Sequence, residues 1–317
     1  MRPLIPASAA AMLLFGSSLA SANLFYEDFN VDSTDSWIVN NPGLSDITVD
    51  FFYDYSQIGV PPAPNGTGTR GLKMTANNTG AVFSGFSVSP KGQSFTGNYT
   101  VSFDLWQNYV GPLGDGGSGS TQLSSFGIGT SGTVPFWPGA LVKESVVFAV
   151  TLDGGSATDY RVYSSEATGS YPPGSSVYAA PGGATNNSHS YYTTAFPSVG
   201  APQAQIDLFP SQTGMTDPGE IAFKWRRVVI DVNNNIATWT IDGLLIARID
   251  ISTVSLGGTN ILFGHSDVNQ PSSEDPNAAL LNVTIIDNIV VTPEPGAALL
   301  LLAGVPLLRR RRTTAGN

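Results

Sequence analysis

The chain reads as all-β, a two-sheet antiparallel sandwich, on three observations. Short runs rich in Val, Ile, Thr, Phe, Tyr and Trp recur between residues 99 and 291 with no helical periodicity between them. Glycine and proline, 35 and 22 residues, punctuate those runs. Two tight-turn signals, Asn233-Asn234-Asn235 and Asp242-Gly243, sit between apolar runs where hairpins need them.

Each run has its own reason. In residues 99–106, Tyr99, Val101, Phe103 and Leu105 alternate with Thr100, Ser102, Asp104 and Trp106, so one face is apolar and the other mainly polar. This predicts a strand packed on one side only. Residues 145–152 and 160–164 are further β-rich runs. Residues 221–232, 236–241 and 244–251, joined by the two turns, predict a three-strand meander from Val228 to Ile251. Runs at 260–264 and 281–291 complete the set. Residues 111–120, 172–187 and 267–277 are dominated by Gly, Ser, Pro, Asn and Asp and are expected at the rim, outside the core.

Composition narrows the function. Only 12% of the 317 residues are charged and the formal net charge is −10, which sets repulsion between the chain and nucleic-acid phosphate. The absence of cysteine removes disulfides, thiolate-ligated metals and thiol nucleophiles.

The ends are distinct. Residues 1–22 carry Arg2, a short apolar run and Ala20-Ser21-Ala22, the pattern of a secretory signal peptide cut by signal peptidase before Asn23. At the other end Pro293-Glu294-Pro295 precedes the apolar residues 297–308 and Arg309-Arg310-Arg311-Arg312. Twelve residues fall short of the ~20 that cross a bilayer untilted, and four arginines act as a cytoplasmic stop signal, so a short apolar helix anchored at the membrane is expected. The domains are thus 1–22, 23–292 and 293–317. Residues 23–292 hold 23 acidic against 9 basic residues, a charge of −14.

In order, spacing and position, Pro293-Glu294-Pro295, the apolar stretch and the terminal arginines resemble the PEP-CTERM sorting signal of Gram-negative bacteria. The resemblance implies transient inner-membrane anchoring, recognition by an exosortase and delivery to the cell surface or extracellular matrix. A second resemblance covers about a third of the central domain. Phe25 to Phe29 with Trp37, Trp225 to Val232, Ala237 to Gly243 and Asn282 to Val291 are similar to strands of concanavalin A-like, laminin-G-like jelly rolls. That implies two stacked sheets with a concave face, as in many glycan-binding modules and some glycanases.

Glycanases of the fold place carboxylates as Glu-x-Asp-x-x-Glu along one strand, and no such run occurs here: Glu220 is followed by Ile-Ala-Phe, and Asp250 stands without partners. His189 and His265 read as loop residues without a Gly-x-Ser-x-Gly elbow or a zincin motif. Gly127-Ile128-Gly129-Thr130-Ser131-Gly132 matches a dinucleotide fingerprint in letters, but Val134-Pro135-Phe136-Trp137-Pro138 follows where a helix must begin. No catalytic residue is assigned. Calcium is the one candidate cofactor, with oxygen ligands Asp267, Asn269, Glu274, Asp275 and Asp287. Glycan contact would fall to exposed rings among Tyr53, Tyr55, Trp137, Tyr171, Tyr178, Tyr191 and Tyr192.

The reading is an exported, non-catalytic protein that binds or organises surface polysaccharide. Two alternatives stay open, a self-associating structural matrix protein and a glycoside hydrolase.

Overall fold

The computed structural model describes residues 22–79, 83–111, 122–136, 144–153, 156–167, 169–267 and 275–294. The expected signal helix and C-terminal apolar helix, with Ala20, Pro295 and Arg309 to Arg312, lie outside them.

Fourteen strands are described: β1 (Phe25–Glu27), β2 (Trp37–Asn40), β3 (Ile47–Asp54), β4 (Arg70–Ala76), β5 (Ser84–Pro90), β6 (Tyr99–Asn108), β7 (Gln122–Thr130), β8 (Val146–Thr151), β9 (Tyr160–Tyr163), β10 (Arg226–Asn233), β11 (Ile236–Ile241), β12 (Leu244–Asp250), β13 (Asn260–Asp267) and β14 (Val283–Pro293). They form the jelly-roll sandwich that the sequence predicts. The larger sheet runs β12-β11-β10-β6-β14-β4-β3, with β1 beside β14, and the smaller runs β2-β5-β13-β7-β8-β9. Every strand pairing in both sheets is antiparallel.

The meander forms as expected, with Val228 opposite Ile241 and Thr238 opposite Arg248. Its turns need left-handed backbone, and the residues that supply it are Asn234 (φ 48°), Asn235 (φ 63°), Asp242 (φ 49°) and Gly243 (φ 81°). Val228, Ile230 and Val232 of β10 and Ala237, Trp239 and Ile241 of β11 point inward by simple alternation. Between the sheets Phe103 meets Phe126 edge-on at 5.1 Å and Phe263 at 5.0 Å. Trp239 lies 5.4 Å from both Phe126 and Phe148.

Two expectations are corrected. From Phe103 onward β6 is buried on both faces, because residues 55–63, Trp225 and the short helix Ala278–Leu281 cover its outer side. Trp106 and Trp225 pack at 5.6 Å there, and Trp225 Nε1 donates to Pro61 O at 2.6 Å. Residues 172–187 are also more than rim. Tyr178 and Ala180 join the main core, and the segment bonds to the outer edges of both sheets. The Tyr171 amide donates to Val162 O of β9 at 2.8 Å, while Ala179 donates to Ile246 O and Arg248 donates to Val177 O along β12. One side of the sandwich is closed by this wrap.

Candidate functional site

The wrap leads into the helix α1 (Ser190–Thr193), whose first turn is capped by His189, its Nδ1 accepting the Tyr191 N–H at 3.2 Å. The helix directs its two tyrosines differently. Tyr192 is fully buried, stacked on Tyr160 at 4.1 Å, with its hydroxyl donating to Ala184 O at 2.8 Å. Tyr191 is half-buried and held at both ends: its hydroxyl donates to Leu245 O at 2.7 Å and its ring stands edge-on to Tyr192 at 5.4 Å. Beside it is an open cleft of about 390 Å³ lined by Pro181, Ser190, Tyr191, Thr194, Ala195 and Leu244. A fixed aromatic ring, three apolar neighbours and two hydroxyls suit an amphipathic ring such as a sugar, and the volume lies in the usual range for small-ligand sites.

Of the expected glycan contacts, Tyr171, Tyr178, Tyr191 and Tyr192 gather on this side, and Trp137 lies outside the described residues. Tyr178 and Tyr192 are corrected to core residues, and Tyr178 spends its hydroxyl on Tyr171 O at 2.7 Å. Tyr171 is half-buried and shares a 2.8 Å hydrogen bond with Ser164. Tyr53 and Tyr55 belong to the far edge of the larger sheet. Tyr55 is buried and donates to Asp287 at 3.1 Å, so it is corrected too. Tyr53 is half-buried under Lys73, whose Nζ is 4.4 Å from the ring centroid. The spacing of tyrosines showed where rings cluster. It did not show which ring turns outward, because Tyr191 and Tyr192 are adjacent and only packing against Tyr160 separates them.

The calcium ligand set does not converge. Asn269 and Glu274 lie outside the described residues. Asp267 faces into the sandwich from β13 and accepts from Asn77 Nδ2 at 2.6 Å, whereas Asp287 faces outward from β14 on the other sheet. Asp275 caps a turn, accepting the Asn277 N–H at 2.7 Å. Among the described residues no three His, Asp or Glu side chains are placed to hold a metal.

Asp287 instead belongs to a buried network that the sequence did not announce. Asp104, fully buried, accepts from Asn65 Nδ2 at 2.6 Å, Asn288 Nδ2 at 2.9 Å and Arg227 Nη1 at 3.2 Å. Burial pushes the Asp287 carboxyl up to about 7, with Asp104 adding to the rise. His265, expected in a loop, completes β13 inside the sandwich. Its Nδ1 meets Thr284 Oγ1 at 2.8 Å and its Nε2 meets Gln122 Oε1 at 2.6 Å, a polar tie between the two sheets. Burial lowers its pKa to about 3, so the ring is neutral. The fingerprint-like glycines at 127 and 129 lie within β7.

A third group is acidic. Asn187 stands between two carboxyls, its N–H donating to Asp159 at 2.8 Å and its Nδ2 facing Glu220 at 3.4 Å, while the Asp217 N–H donates to Glu220 at 3.0 Å. Burial, reinforced by Asp217, Asp153 and Asp159, raises Glu220 to about 9. These carboxyls face each other across an asparagine. A group whose folded pKa is raised favours folding below its unfolded value, and that contribution fades as pH climbs from about 4.5 towards 9. Glu220→Gln, which mimics the protonated form, is therefore expected to raise the melting temperature relative to the wild type at pH 8.5, with the difference vanishing near pH 4. Thermal melts across that range check it, and equal curves at pH 8.5 would refute it.

No protein-family model matches the chain, and no curated protein matches it. Among solved structures it is similar to an endo-glucanase of glycoside hydrolase family 16 from Bacteroides ovatus, at 15% identity over 84% of this chain and 99% of that one, with a TM-score of 0.43. It is similar to the carbohydrate recognition domain of Emp46p at 9% identity over 86% and 98% of the two chains, TM-score 0.43. It is also similar to a protein of unknown function with a galectin-like fold from Bacillus subtilis, at 10% identity over 86% and 96%, TM-score 0.38. These are likenesses of shape, and the sandwich stands on its own strand pairing.

Proposed function

We propose that the chain is exported to the cell surface or extracellular matrix of a Gram-negative bacterium and there binds or organises polysaccharide without cleaving it. The observation that carries the binding half is the Tyr191 cleft, where the ring is fixed before any ligand arrives by its bond to Leu245 O and its contact with Tyr192. A preset ring loses little conformational entropy on stacking against a sugar. The terminal segments carry the export half. Signal peptidase would cut before Asn23, and an exosortase would act near Pro293-Glu294-Pro295 while residues 297–312 hold the chain transiently at the inner membrane.

The binding half is tested by affinity electrophoresis on gels containing matrix polysaccharides. Retardation of the wild type and about tenfold weaker binding of Tyr191→Ala are expected, as for loss of a central aromatic contact. Retardation unchanged in the variant, or none on any polysaccharide, would remove the cleft from the account. Release of reducing ends would favour the hydrolase reading, and self-association without sugar the structural one. Mass spectrometry of the cell-associated protein tests the export half, with a new C-terminus near Pro293 expected and an intact Arg309 to Arg312 tail contradicting it.

A further inference from the structure

The Pro-Glu-Pro segment begins on the sandwich itself. Strand β14 passes through Thr292 and Pro293, which pair with Thr100 and Tyr99 of β6, and the Glu294 N–H donates to Asn98 O at 3.2 Å. This brings the Glu294 carboxyl to the outer face of the larger sheet, beside Asp231 of β10. Thr100 Oγ1 lies 2.6 Å from Glu294 Oε1 and 3.1 Å from Asp231 Oδ1. A hydroxyl carries one hydrogen, and an ionised carboxylate only accepts. Both contacts form together only when one carboxyl is protonated and donates in turn.

The surroundings offer no cation in contact. On β10 Arg227 shares this face but is engaged with Asp104 at 3.2 Å. On β11 Thr238 stands opposite Asp231, and on β12 Arg248 stands opposite Thr238, two strand spacings or about 10 Å from Asp231. Asn98 and Asn233, bonded to each other at 3.2 Å, are neutral, and on β1 the nearest ionisable side chain is Tyr26, opposite Val290. Among the described residues neither carboxyl has an ion-pair partner.

We propose that Asp231 and Glu294 form a proton-operated latch that holds the start of the Pro-Glu-Pro segment on the sandwich while they share a proton and loosens it when both are ionised. Partial burial, with Glu294 as hydrogen-bond partner and like charge, pushes Asp231 up to about 6, while Glu294 is held below its ordinary value. Docking is strongest while the pair holds one proton: the Asp231 contribution weakens as pH rises through about 6, and the Glu294 contribution is lost as pH falls below its ordinary value of 4.5. The latch stands on the fold alone. Its consequence, that the sorting motif becomes more accessible at neutral than at acidic pH, rests on the export reading proposed above.

Amide hydrogen exchange of Glu294 in the full chain, corrected for the intrinsic pH dependence of exchange, tests it. Protection about tenfold higher at pH 5 than at pH 8 is expected. Asp231→Asn supplies a permanently neutral partner and should keep the pH 5 level of protection at pH 8. Glu294→Gln, at the end of the strand where folding is not at stake, should do the same. Protection equal at both pH values in the wild type, or a pH dependence that persists in both variants, overturns the latch. An intact C-terminal tail on the cell-associated protein, found alongside pH-dependent exchange, would instead sink the sorting reading and leave the latch standing.

Discussion

Trp239→Ala is expected to lower the free energy of unfolding by about 3–5 kcal/mol. The indole is fully buried and is the common neighbour of Phe126, Phe148 and Tyr160, at 5.4, 5.4 and 6.1 Å. Those rings come from three strands of the opposite sheet, so truncation opens a cavity where the two sheets meet. The cost is one of lost packing and not of a lost hydrogen bond, because Nε1 has no partner. Trp239→Phe separates the two contributions. It keeps a ring, removes the unsatisfied N–H, and should stay within about 1.5 kcal/mol of the wild type. Urea denaturation of both variants measures this, and an alanine variant within 1 kcal/mol of the wild type would show that the sheets can close over the gap.

Asp104→Ala is expected to cost about 2–4 kcal/mol for the opposite reason, since little apolar surface is involved. The carboxylate is the acceptor that Asn65, Asn288 and Arg227 share. Asn288 sits in left-handed backbone, φ 53°, within the irregular stretch of β14 between Asp287 and Val290, so its bond to Asp104 also holds that distortion. Removing the acceptor strands the Asn288 amide, which is sealed from water, while Asn65 is exposed. Arg227 also suffers little, because its side chain is 30% exposed and bonds Ser102 at 2.7 Å. A double-mutant cycle with Arg227→Ala should therefore show a coupling of about 1 kcal/mol, well below the single-variant loss. The loss should also vary little with salt, since a buried network is poorly screened. A destabilisation under 1 kcal/mol, or one abolished by added salt, would contradict this account.

The sequence was most legible where one period ruled. In the meander of β10, β11 and β12 alternation is clean and the turn residues are the ones that such turns require. Expected and observed spans agree to within a residue at β11 and β12. It was least legible at β5 and β7. Ser84–Pro90 and Gln122–Thr130 are full strands, yet their outward positions, Gly85, Ser87, Ser125 and Gly127 among them, are occupied by small residues. Gly127 has no room for more, since a Cβ there would come within 2.5 Å of Val146 O. Closely covered strands thus resemble loops in composition. The acidic cluster around Glu220 was invisible for a different reason. Asp159, Asn187 and the turn from Asp217 to Glu220 come from three separate stretches of irregular chain, and no spacing rule joins the three. Tyr191 was named as a candidate contact, but its outward setting follows from tertiary packing alone.

The wrap over β9 and β12 has a bearing on how copies of this domain can join. Each sheet ends on that side in a strand whose edge is already bonded to residues 171–179. On the opposite side the sheets end in β2 and β3, where no further strand pairs among the described residues, and β3 carries Asp50 and Asp54 along its length. A filament built by strand addition needs two sticky ends per subunit, one to receive and one to offer. Among the described residues this molecule offers its unpaired edges, β2 and β3, on one side, so strand addition can bring in a copy of the domain from that side and not across the wrap. Growth of any lattice past the wrapped side would have to run through the faces or the loops of the domain.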